Sequence, residues 1–213
     1  MKEIEHILES EFERSLLGAA LHNLKDTDNK LRYNNFAYSI RELSRHFLHS
    51  LSPEANVLAC NWFEPITDNG KPSRTQRIKY AIQGGINDES LSSLGFDVEE
   101  LDDDIKALKK AIDSLSKYTH INPDVFGLVE EDVKRMSEEV LNQFKVFANR
   151  IKDSREDFKH ALEGKIEEHM IDAVISNHYE NVDSLAPHRS LEYSELTEYH
   201  IVDINQRSIV VEV

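Results

Sequence analysis

Arg41 and His46 stand with four residues between them, inside a stretch, 30–51, whose apolar positions recur at helical spacing. At roughly 100° per residue, Phe36, Ile40, Leu43 and Phe47 share one face of such a helix. Arg41, Glu42, Arg45, His46 and His49 fall on the other, with Asn34 and Tyr38. A histidine titrates near neutral pH, so it can take a proton from a ribose 2′-hydroxyl or protonate a leaving oxygen. An arginine can grip the adjacent phosphate and offset the charge that grows there. Together they would cleave RNA with no metal and no cofactor. The plainer reading of the same residues is a solvated helix face with i,i+4 charge pairs.

A second basic element lies downstream. Lys71, Arg74, Arg77 and Lys79 fall within nine residues, with no acid among them. With Arg45 they are the candidate nucleic-acid-binding residues. The chain as a whole carries a formal net charge of -15. An evenly acidic surface repels phosphate, so any contact with nucleic acid has to be local. Arg155 and His160 repeat the spacing of Arg41 and His46, so spacing alone does not choose between the pairs. His6, His22, His120 and His200 are isolated, and no His-Glu-x-x-His pattern surrounds Glu168, His169 or His178. Cys60 sits in an apolar context and reads as a small core residue. Asp102, Asp103 and Asp104 point in different directions on a helix and read as a solvated acidic end. Gly84-Gly85 lacks the lysine of a phosphate loop.

The elements that must position these residues follow from periodicity. Hydrophobic residues make up 39% of the chain, enough for a core, and 7 Gly and 5 Pro favour long helices over a loop-rich fold. No apolar run reaches the length of a membrane span, and the first residues lack a signal peptide's apolar region. One cysteine makes no internal disulfide framework and fits a reducing, cytoplasmic setting. Helices are expected over 2–25, 30–51, 54–60, 74–83, 97–120, 128–151 and 154–180, with a loop over 61–73. Asp28 or Asn29 is placed to cap the second helix. Beyond Pro187 the residues turn β-branched and aromatic, and Asn205-Gln206 is placed to turn a hairpin. The expected fold is mainly α: a multi-helix bundle over 1–182, then a β-rich segment over 183–213. That segment is read as the start of a second domain continuing past Val213, or as strands that pair with the helical body or a second subunit.

The block YNNFAYSIRELSRHFLHSLSPEANVLACNWF, 33–63, followed by KPSRTQRIKYAIQGG, 71–85, resembles the predicted pPIWI-associating nucleases, which are linked with prokaryotic PIWI-like defence systems. By position, that resemblance implicates Arg41, Arg45, His46, Arg74, Arg77 and Lys79. More loosely, the pairing of an arginine and a histidine with four to six residues between them on a helix resembles the HEPN ribonucleases. It implies a metal-independent endoribonuclease whose helices meet in a homodimer. The residue after the arginine is Glu at both sites, where the HEPN pattern more often has Asn, Asp or His.

The expected function is therefore a nucleic-acid-cutting defence protein of HEPN-like type. Arg41 and His46 would be catalytic, RNA (or DNA) the substrate, a second copy and a defence-system protein the partners. A metal-dependent nuclease using Asp203 and Glu212 on the C-terminal hairpin is one alternative. A helical interaction module that cuts nothing is another.

Overall fold

The computed structural model describes residues 2–115, 119–182 and 199–212. The expected first helix is two, α1 (Lys2–Ile7) and α2 (Glu11–Asn23). Ser10 breaks it. Its hydroxyl accepts from Glu13 N while the Glu13 carboxylate accepts from Ser10 N, a reciprocal cap that starts a new helix. The Arg14 guanidinium donates to the Leu8 and Glu9 carbonyls that the break leaves open, at 2.7 and 3.0 Å.

Helix α3 (Arg32–Leu51) follows, with Asn29 Oδ1 accepting Leu31 N just before it, and it stops at Ser52-Pro53. A short α4 (Glu54–Leu58) leads into the loop and then α5 (Arg74–Gln83). Ser73 and Gln76 form a second reciprocal cap at the start of α5, and Gly84 ends it at φ 63. Helix α6 (Asp88–Ser93), capped by Asn87, was not legible in the apolar pattern because only Leu91 of it is buried. Asp97 caps α7 (Val98–Ser114), shorter than expected; residues 116–118 lie outside the described residues.

Helix α8 (Glu130–Val182) replaces the two helices expected over 128–151 and 154–180. Neither Gly nor Pro stands at 152–153. The buried stripe runs straight through, from Val140, Phe144, Phe147 and Ile151 to Phe158 and Leu162. Phe47 of α3 packs edge-on against Phe144 and Phe147, with ring centroids 6.0 and 6.3 Å apart. Ile78 and Ile82 of α5 and Ile105 and Leu108 of α7 complete this core.

β1 (His200–Ile204) and β2 (Ile209–Glu212) form the antiparallel hairpin, irregular between Ile201 and Asp203. Asn205 Oδ1 accepts both Arg207 N and Ser208 N and so closes the turn where expected. The hairpin packs on the helical body. Gly85 N donates to Asn205 O at 2.9 Å. A Cβ on Gly84 would lie 2.6 Å from Ile204, and one on Gly85 2.3 Å from the Gln206 carbonyl oxygen. The strand expected just before His200, and the junction expected at 182/183, fall on residues 183–198, outside the described residues.

Candidate functional site

Helical geometry sorts the polar face of α3 into two directions. Tyr38, Arg41, Arg45 and His49 lie within roughly 80° of one another around the axis, a stripe one to three turns long. His46 lies about 140° from Arg41, because five residues advance the helix by nearly one and a half turns. The structure gives His46 a place of its own at the flank. Its ring meets Phe12 of α2 edge-on at 4.8 Å, and its Nε2 lies 3.1 Å from Arg45 Nη2. An arginine only donates, so that contact needs the neutral ring as acceptor. Arg45 also donates through Nε to Glu42 at 2.9 Å. Arg41 has no hydrogen-bond or ion-pair partner among the described residues. Asn34 belongs to the core rather than the polar face. It is 4% exposed, and both amide atoms are without a partner.

At the C-terminal end of the stripe the chain encloses a cleft of about 570 Å³. This lies in the range of ligand pockets, roughly 300–1,000 Å³. Arg45 and His49 enter it from α3, Glu54 from α4, Thr67, Asp68, Asn69, Lys71 and Pro72 from the loop, and Arg77 from α5. The loop is braced by Asn69, whose Oδ1 accepts Lys71 N at 3.1 Å. Arg77 is the fixed cation of the cleft. It is 4% exposed, donating to Ser52 O at 2.6 Å and to Glu54 at 3.1 Å. Lys71 Nζ stands 3.6 Å from the same carboxylate. Three cations thus face two acids, Glu54 and Asp68. Burial, and then the fields of Arg77, Arg45 and His46, pull the His49 pKa down to about 4, with Glu54 opposing. His49 is therefore a neutral imidazole at physiological pH.

The basic run does not stay together. Arg77 and Lys71 reach the cleft. Arg74 pairs with Asp113, which also takes Lys109 at 2.6 Å. Lys79 pairs with Asp88 at 2.7 Å and lies 5.2 Å from the Trp62 ring centroid. Helical rotation carries these two to the α6–α7 side, where acids neutralise them. The sequence places His49 on the polar face of α3 without setting it apart from its neighbours. Its spacing of four from Arg45 is the signal that would have found it.

The second Arg–His pair is divided. Arg155 Nη1 donates to Ala81 O at 2.7 Å and Nη2 to Asp203 at 2.8 Å, tying α5, α8 and the hairpin together. His160 faces Glu163 at 3.3 Å. Asp203 is thus held by Arg155, and Glu212 lies on the other strand across from His200, three residues before Asp203. Among the described residues no three His, Cys, Asp or Glu side chains converge to hold a metal ion. The Cys60 thiol is buried, and burial pushes its pKa up to about 11, as expected of a small core residue. No described helix is long and apolar enough to cross a membrane.

Three cations, two acids and a neutral histidine line this one cleft, an arrangement that can hold an anion beside a proton acceptor. Family models described as predicted pPIWI-associating nuclease match residues 5–144 and 151–213, and the chain belongs to that family. The first match contains the whole cleft, and the second begins within α8 and takes in the hairpin. No curated protein and no solved structure matches the chain.

Proposed function

We propose that this protein is a metal-independent endoribonuclease whose reaction takes place in the cleft between α3 and α5, at His49 rather than at the HEPN-spaced pair Arg41 and His46. The convergence of Arg45, Lys71 and Arg77 on His49 carries that reading. The guanidinium groups hold the scissile phosphate and oppose the charge that builds on it. An entering phosphate offsets the arginine field on His49 and raises its pKa from about 4. Binding thereby makes His49 a better base, where the 2′-hydroxyl must lose its proton. The attack yields a 2′,3′-cyclic phosphate and a free 5′-hydroxyl. The leaving 5′-oxygen takes its proton from solvent; His46, 3.1 Å from Arg45, lies outside the residues that line the cleft. Association with a PIWI-like protein follows the family description, and action in defence is the role we infer from that association. As in HEPN proteins, a homodimer would set two such faces together.

The assignment is tested by cleavage of labelled RNA in excess chelator. His49→Ala is expected to lower the rate by about 100-fold or more. Arg45→Ala, at an exposed position, is expected to weaken substrate binding without loss of fold. If Arg41 and His46 are the working pair, His46→Ala abolishes cutting while His49→Ala does not. Activity that needs a divalent metal points instead to a carboxylate site.

A further inference from the structure

We propose that the stripe Tyr38–Arg41–Arg45 on α3, exposed at Tyr38 and Arg45 and half-buried at Arg41, is a binding track that delivers single-stranded nucleic acid to the cleft. The proposal rests on the reading of the cleft as a nuclease site and names the form of its substrate. Three observations carry it. Tyr38 is 54% exposed, a large ring on the surface of a helix whose other aromatics are buried. Arg41, one turn on, has no partner among the described residues, although the chain has 40 acids to offer. Arg45, one further turn on, lines the cleft itself.

The geometry suits a strand and not a duplex. Arg41 and Arg45 lie about 6 Å apart along the axis, and Tyr38 about 4.5 Å before Arg41. Successive cations at that pitch can follow the phosphates of one extended strand, and a tyrosine face offers a platform on which any base can stack. A base within a duplex is already stacked on both sides and cannot take up the ring. Phe12, 56% exposed and edge-on to His46, walls the track on the α2 side. Glu42 lies at the edge of the stripe and is held by Arg45. In a chain of net charge -15, the charge of Arg41, which meets no acid among the described residues, is where a polyanion can approach, with Arg45 shared between it and Glu42.

The test is fluorescence anisotropy with a short, labelled 2′-O-methyl RNA, which lacks the attacking hydroxyl, as a single strand and as a duplex. The single strand is expected to bind more tightly. Tyr38→Ala should weaken it by about tenfold, the loss of one stacked base, and Tyr38→Phe should restore it. Arg41→Ala should lower the slope of affinity against salt by about one. Both positions are surface positions, and a thermal melt checks the fold. Equal affinity for the duplex, or no change in Tyr38→Ala, overturns the track. A protein that cuts RNA through His49 yet ignores Tyr38 leaves the cleft reading standing and the track refuted. One that binds strands through Tyr38 but never cuts supports the track and refutes the cleft reading.

Discussion

His49 shows how one residue's surroundings set its chemistry. Free in solution it would titrate near 6.5, but in the fold it is held neutral to about 4 by burial and by Arg77, Arg45 and His46. The linkage has a definite sign. Between those two values the unfolded chain binds a proton that the folded chain does not. The stabilising contribution is therefore complete above pH 6.5 and is lost as the pH falls through 4. The melting temperature should drop across that window, and His49→Gln should flatten part of the drop. An unchanged pH profile in the variant would mean that the cation field on this ring is weaker than the geometry implies. Arg77 is a poor place to test phosphate binding, because it is also structural. Arg77→Ala strips a bond from the Ser52 carbonyl and a partner from Glu54. A loss of about 1–3 kcal/mol is expected from the unpaired buried acceptor alone. A denaturant titration would read it, and Arg45→Ala in parallel should show almost none.

At the scale of elements, α5 is held at both ends, and that holds the cleft. Ser73 caps its start, and the hairpin closes over Gly84-Gly85 at its end. Gly85→Ala would push a methyl into the Gln206 carbonyl, so hairpin or helix must move. A cost of roughly 1–3 kcal/mol is expected. Hydrogen exchange should then rise in β1 and at the end of α5 together. Faster exchange in only one of them would separate the hairpin from the helix it touches. Arg155→Ala removes the bonds to Ala81 O and Asp203 and should act in the same direction. Its effect on cutting, if any, should follow stability and leave the products unchanged.

For the whole molecule, charge and assembly are the quantities to measure. On a body with 40 acids and 25 Lys and Arg, the proposed contact with nucleic acid is confined to places where cations gather. Binding should therefore fall steeply with salt, with a slope set by the few groups of the track and cleft. Light scattering is expected to give the mass of a homodimer, and RNA cleavage should proceed in excess chelator. A monomer that cuts at full rate would remove the dimer from the proposed function and leave the cleft.

Much of the framework was determined by the chain's own pattern. Phe36, Ile40, Leu43 and Phe47 could share a face only in a helix, and Gly84 and Pro53 could only interrupt one, so α3 and α5 were legible with their ends. Asn205 closes its turn with its own side chain, a local interaction that needs no distant partner. The family resemblance rested on residues 33–85, which the wider match contains. Other features depended on partners far along the chain. Ser10 against Glu13 is local, yet the uninterrupted apolar spacing masked it. The join of α8 across residue 151 depends on Phe158 and Leu162 finding the same core as Phe144. The basic run read as one patch because sequence records neighbours along the chain, not rotation about an axis. Only the packing of α5 sent Arg77 towards Ser52 and Glu54, and Arg74 and Lys79 towards Asp113 and Asp88. The neutral state of His49 arises in the same way. Burial and the field of Arg77, 28 residues distant, act only once α3 and α5 are packed, because electrostatic influence falls with distance in space and is blind to separation in sequence.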